Sequence, residues 1–112
     1  ATPTGSTGYN LSAGGPVVFP QTEMMIITPI CPHSLSARSV VVPADAQVVV
    51  EVGKRRKTQK EEALVTYDGQ TVWNLETGDQ VRVERSPIYV PMISIRQNDF
   101  CDVLRNKLKN VQ

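Results

Sequence analysis

The pair Asp68-Gly69 constrains this chain more than any other two residues in it. It stands between Leu64-Val65-Thr66-Tyr67 and Thr71-Val72-Trp73-Asn74-Leu75, with Gln70 completing the gap. Asp-Gly accepts positive φ at both central positions of a turn, the twist that returns one strand antiparallel to the last. A β-hairpin is therefore expected here, and the neighbouring runs supply further strands. Met24-Met25-Ile26-Ile27-Thr28 is apolar throughout and closed by Pro29, which suits a buried strand. Arg38-Ser39-Val40-Val41-Val42 and Gln47-Val48-Val49-Val50-Glu51-Val52 are β-branched runs joined by a turn at Pro43-Ala44-Asp45-Ala46. Glu76-Thr77-Gly78-Asp79 reads as another turn, and Gln80-Val81-Arg82-Val83-Glu84 alternates with its valines on one face. Tyr89-Val90 and Ile93-Ser94-Ile95 continue the β pattern, for roughly seven strands in all.

Both ends change period. Residues 4–13 read as a short helix that Thr4 or Ser6 can cap, with Gly14 and Gly15 supplying a left-handed stop before Pro16. Near the other end, Phe100, Val103, Leu104 and Leu108 recur at helical spacing, so residues 98–109 form an amphipathic helix whose stripe is core. Asn98 or Asp99 sits at its N-cap, and Arg105, Lys107 and Lys109 suit the negative end of its dipole. The expected fold is mainly β, an antiparallel β-sandwich-like domain over residues 1–112, with one short N-terminal and one C-terminal helix.

Composition removes several classes. The 112 residues carry a net charge of +1, which gives no general reason to bind nucleic acid or a membrane surface. No apolar stretch reaches the ~18 residues of a membrane span, and the N-terminus lacks the pattern of a signal peptide. The chain begins at Ala1 without a methionine, which points to a piece of something longer or to processing. Cys31 and Cys101 are too few and too far apart for a disulfide scaffold, so reduced thiols in a cytoplasmic protein are expected. Cys31 follows an apolar run and is expected at the edge of the core. Lys54-Arg55-Arg56-Lys57, with Glu61 and Glu62 close behind, reads as a solvated loop.

Chemistry concentrates in Thr4-Gly5-Ser6-Thr7-Gly8-Tyr9-Asn10-Leu11-Ser12. Hydroxyls and small residues at a helix start let a polar ligand approach the backbone. Gly8 and Ser12 lie one turn apart, and Tyr9 offers a ring for a flat heterocycle together with a hydroxyl. The same residues also describe an ordinary capped helix with a glycine stop, and taken alone they leave both readings open. His33, the one histidine, lies between Pro32 and Ser34 and reads as structural, while Asp68 is explained by its turn.

Thr2-Pro3-Thr4-Gly5-Ser6-Thr7-Gly8-Tyr9 resembles the Thr-Pro-Thr-Gly-Ser-Thr-Ala-Tyr motif of the NAD kinases. Thr28-Pro29-Ile30-Cys31-Pro32-His33-Ser34-Leu35-Ser36-Ala37-Arg38 is similar to a second motif of that family, at a family-like distance. Tyr67-Asp68-Gly69-Gln70, the Gly78-Asp79 turn and the closing helix fit as well, so the resemblance spans essentially the whole chain. It implies an enzyme that transfers a phosphoryl group from ATP or polyphosphate to the adenosine ribose 2′-hydroxyl of NAD, giving NADP with the help of Mg²⁺ or another divalent metal. It further implies that Thr7, Gly8, Tyr9 and Ser12 line the dinucleotide site toward the nicotinamide riboside. By the same resemblance, Thr4 lies at the edge of the site and Cys31 closes it from a neighbouring subunit of a dimer or tetramer. The terminal helix, residues 97–112, is expected to pack on an N-terminal α/β domain outside this sequence.

Two departures stand out. Gly8 occupies a position where alanine is usual, and Phe19 precedes Pro20 where His-Pro is common. The family's Gly-Gly-Asp-Gly motif, which carries the proposed base, does not occur here, so this piece alone is expected to be inactive and no catalytic or metal-binding residue is assigned in it. Two other readings compete: the matching domain of a related diacylglycerol or sphingosine kinase, and a non-enzymatic β-sandwich interaction module.

Overall fold

Strand pairing follows the turn chemistry. The computed structural model describes residues 1–54, 60–93 and 99–109. Its strands are β1 (Met24–Ile27), β2 (Val40–Pro43), β3 (Val48–Glu51), β4 (Glu62–Tyr67), β5 (Thr71–Glu76) and β6 (Gln80–Val83). They pair antiparallel as β1–β2, β3–β6 and β4–β5. With a 3₁₀ turn at Thr4–Thr7, α1 at Tyr9–Ser12 and α2 at Phe100–Lys109, the chain is mainly β with a helix toward each end, as its sequence implies.

Two compact units divide the chain, residues 47–85 and the remainder. In the first of these, the β4–β5 hairpin turns on Asp68 (φ 52°) and Gly69 (φ 66°), and the Gln70 N–H donates to the Tyr67 carbonyl at 3.3 Å. Tyr67 pairs with Thr71, so the connection is one residue longer than a two-residue turn. The second turn holds the unit together. Gly78 (φ 95°) donates its N–H to the Val52 carbonyl at 2.9 Å, and Val52 returns a bond to Asp79 at 3.0 Å. Thr77 accepts the Glu61 N–H on its hydroxyl at 2.7 Å, while the Asp79 carboxylate accepts the Glu76 N–H at 2.8 Å. One tetrapeptide thus ties the outer pair β3–β6 to the hairpin it encloses.

The other unit carries the N-terminal motif, β1–β2 and α2. Ile26 of β1 is 2% exposed, and its N–H donates to the Ala1 carbonyl at 2.7 Å, so the start of the motif lies along this strand. The helix α2 is capped by Asp99, whose carboxylate accepts the Cys101 N–H at 3.4 Å. The other N-cap candidate, Asn98, lies outside the described residues, as do Arg55, Arg56 and Lys57 of the basic loop and Ser94 and Ile95 of the last expected strand.

Several expectations need correction. Residues 4–13 are not one helix: the 3₁₀ turn ends and α1 begins at Gly8, with φ −89° and ψ −132°. Neither Thr4 nor Ser6 caps it, because Pro3 holds the N-cap position and the Ser6 hydroxyl is engaged elsewhere. Tyr89, Val90 and Ile93 form no strand and are 76–91% exposed. The stripe of α2 is only partly covered: Phe100 and Leu104 are half-buried, whereas Val103 and Leu108 are exposed. Cys31 is exposed rather than at a core edge. The exposed part of the α2 stripe has a plain physical reason. A two-stranded ribbon or a lone helix face buries apolar side chains only when another layer covers it.

Burial therefore depends on few side chains. Ile26→Ala removes three buried carbons and should cost about 2–4 kcal/mol in denaturant unfolding of the full-length protein. Leu35, 96% exposed, should tolerate alanine within about 0.5 kcal/mol in the same measurement.

Candidate functional site

Two buried polar residues bracket three of the residues singled out in the sequence. Ser6 is fully buried and Asn10 is 6% exposed, while Thr7, Gly8 and Tyr9 between them face outward to differing degrees. The Ser6 hydroxyl accepts the Val18 N–H at 3.1 Å and donates to the Pro3 carbonyl at 2.8 Å. This fixes the 3₁₀ turn to the extended segment that follows Pro16.

Asn10 does more. Its amide nitrogen donates to the carbonyls of Ser6 at 3.1 Å and Pro16 at 3.0 Å, using both hydrogens. Its amide oxygen accepts the Thr28 hydroxyl at 2.6 Å, and Thr28 meets the Ser39 hydroxyl at 3.1 Å. Since Thr28 donates to Asn10, Ser39 is the donor to Thr28. Every polar atom of the Asn10 side chain is thus paired, and no buried side-chain nitrogen or oxygen among the described residues lacks a partner. Thr28 opens the second sequence motif, so the two motifs are joined by one short hydrogen bond.

Glycines shape the same place. Gly14 takes φ 86°, the left-handed stop expected for it. Gly15 has a different role. A Cβ there would lie 2.1 Å from the Asn10 amide oxygen, so only glycine leaves room for that side chain. A Cβ at Gly8 would meet the Gly5 carbonyl at 3.4 Å, within ordinary contact, so alanine fits where the sequence departs from its family.

The sequence-derived candidates fall as follows. Thr7 is half-buried, Thr4, Gly8 and Ser12 are exposed, and Tyr9 is 74% exposed with its ring outward. Tyr9 and Ser12 lie on one short turn, whose closing bond runs from the Ala13 N–H to the Tyr9 carbonyl at 3.0 Å. Cys31 is exposed with φ 48°, a left-handed backbone at a non-glycine residue in the second motif. Neither α1 nor the 3₁₀ turn exceeds four residues, so the free N–H groups of a long helix start are not the basis of this site.

Two residues escaped sequence reasoning. One is Asn10, although asparagine is a poor helix former that favours side-chain bonds to nearby backbone, and it lies one turn from Ser6. The other is Lys107 of α2, whose ammonium donates to the Thr7 hydroxyl at 3.0 Å. Nothing in the spacing of residues a hundred positions apart announces that contact. Phe19, the other departure from the family, packs against Phe100 with ring centroids 4.8 Å apart and planes at 48°.

Asn10→Ala leaves two carbonyls and a hydroxyl without their partner and should cost about 2–3 kcal/mol. Gly15→Ala should be destabilising alone, yet cost less in the Asn10→Ala background, where the clashing oxygen is gone. A thermodynamic double-mutant cycle reads this coupling; simple additivity would contradict the packing described.

The molecule resembles known proteins along its length. Residues 1–95 match the family model described as the ATP-NAD kinase C-terminal domain. An NAD kinase of Lachnoclostridium phytofermentans is 48% identical over 107 residues, covering 96% of this chain and 38% of that protein. The NAD kinase of Geotalea daltonii is 42% identical over 97% of this chain and 37% of its own length. A crystal structure of yeast NADH kinase complexed with NADH matches 80% of this chain and 26% of that one, with a TM-score of 0.68 and 36% identity. The chain therefore spans a little over a third of the length of the two NAD kinases. The lipid-kinase and interaction-module readings give way to this result: the chain belongs to the ATP-NAD kinase C-terminal domain family.

Proposed function

We propose that this chain is the NAD-binding part of an NAD kinase, which phosphorylates the adenosine ribose 2′-hydroxyl of NAD to make NADP. The observation that carries the reading is the outward Thr7-Gly8-Tyr9 triplet, held from behind by Ser6 and Asn10 within a family-matched motif. A flat heterocycle can lie on the exposed Tyr9 ring, which gains from stacking what it lacks in burial. Thr7 and Ser12 offer hydroxyls to the ribose and phosphates, and Gly8 lets the ligand approach the backbone. Thr4 bounds the site. Cys31 reaches it from a second subunit of a dimer or tetramer.

The phosphoryl donor is ATP or polyphosphate. Transfer depends on positioning and charge neutralisation, with a divalent metal spreading the charge of the donor phosphates. Among the described residues no three His, Cys, Asp or Glu side chains come together as metal ligands, so none is assigned to the metal. The Gly-Gly-Asp-Gly motif is not in this sequence either, and the transfer step is assigned to the rest of the protein. Val103 and Leu108 of α2, both exposed, are where that remainder packs on the terminal helix. A cytoplasmic enzyme fits the two free, exposed thiols and the absence, among the described residues, of a helix long and apolar enough to cross a membrane.

The full-length protein should form NADP from NAD and ATP and leave diacylglycerol unmodified. In calorimetric titration, Tyr9→Ala should weaken NAD binding about tenfold while its circular dichroism stays that of the parent. Equal NAD affinity in a folded Tyr9→Ala protein would remove Tyr9 from the site, and phosphorylation of the lipid but not NAD would sink the NAD-kinase reading.

A further inference from the structure

Residues 4–16 contain no charged side chain. The segment offers hydroxyls, backbone and one aromatic ring to a ligand whose pyrophosphate bridge carries two negative charges. Charge must reach it from another element, and the fold supplies one. Lys107 donates from its ammonium to the Thr7 hydroxyl oxygen at 3.0 Å, across a hundred residues of sequence.

The reach of Lys107 is built into α2. Phe100 and Lys107 are one heptad apart, close to two helical turns, and so lie on the same stripe of the helix. Phe100 is fastened to Phe19, which directly follows the segment that Ser6 holds through Val18. The helix is therefore anchored at its start, with its last turn beside the motif. Lysine at that end also favours the helix dipole.

We propose that Lys107 is a further binding residue of this site, meeting a phosphate oxygen of the dinucleotide. Lys107 has this role only if the Thr7–Tyr9 face takes the dinucleotide, as proposed above. An ammonium carries three donors, and the bond to Thr7 uses one. Because Thr7 accepts from Lys107, its own hydroxyl hydrogen is directed away and can be donated. The pair thus presents an ammonium and a hydroxyl donor together, an arrangement that gains more from a charged phosphate oxygen than from a nucleoside without phosphate.

The test uses the full-length protein and titrates NAD, nicotinamide mononucleotide, nicotinamide riboside and ATP separately. Lys107→Ala and Lys107→Gln should weaken binding of NAD and the mononucleotide roughly tenfold and leave the riboside, which has no phosphate, within about twofold. Lys107→Arg should retain most of the affinity. Lys109→Ala removes the same charge from the same turn, about 200° further round the helix, and should bind as the parent does. Thermal melting of each variant confirms that it is folded.

Unchanged NAD affinity in Lys107→Ala overturns the proposal while leaving the NAD-kinase reading intact. Equal loss for riboside and mononucleotide also overturns it, because Lys107 would then act only through the packing of Thr7. A loss confined to ATP assigns the ammonium to the donor and overturns it too. If the unsubstituted protein binds no NAD, both readings fall together, and that titration is the first in the series.

Discussion

The side-chain amide of Asn10 is the contact on which the N-terminal motif depends. The outward Thr7-Gly8-Tyr9 triplet is supported from behind. Asn10 provides that support with three hydrogen bonds, to Ser6, Pro16 and Thr28, from a position 6% exposed. Each bond adds only about 1 kcal/mol net, but leaving any of these groups unpaired in the interior would cost more. The arrangement is therefore all or nothing. Gly15 belongs to it as firmly as the amide does, because a methyl group there would occupy the space of the Asn10 oxygen.

The same amide ties the second sequence motif to the residue that follows the first. Read singly, residues 2–9 describe a helix start and residues 28–38 an irregular proline-bounded loop. Thr28 joins them through its 2.6 Å bond to Asn10, and Ser39 continues the chain of hydroxyls toward β2. The loop that carries Cys31 thus leaves a strand already tied to the Tyr9–Ser12 turn. Gly8 has the complementary task. By ending the 3₁₀ turn and starting α1, it gives Ser6 and Asn10 an inward course while Tyr9 stays outward.

Local features of this fold were legible in the sequence, and long-range ones were not. Asp68-Gly69 and Gly78 specify positive φ through their own sterics, so both turns fall where the residues place them. Strands β2 and β3 follow β-branched runs, and β1 and β6 follow an apolar and an alternating run, again local signals. The pairing of β3 with β6, however, depends on how the Thr77-Gly78 turn meets Val52 and Glu61, which no spacing rule supplies. Tyr89 and Val90 show the converse error: β propensity alone does not make a strand of a β-favouring pair. In the N-terminal motif, the Tyr9 ring and the hydroxyls beside it can be picked out by residue type alone. Asn10 and Lys107 cannot, because their importance lies in partners chosen by the folded chain.

The same distinction bears on Phe19. As a departure from a family pattern its effect could not be stated from sequence. In the structure its ring lies against Phe100, and it is still 56% exposed, so burial alone would rank it as unimportant. Its value is positional. Aromatic pairs of this geometry contribute about 0.5–1.5 kcal/mol beyond area, enough to bias where α2 rests on its unit but too little to hold a core. What it fixes is the start of a helix whose last turn carries Lys107 to Thr7. The Phe19–Phe100 contact at one end of α2 and the Lys107–Thr7 bond at the other are how an uncharged motif acquires a neighbouring cation without a charged residue of its own.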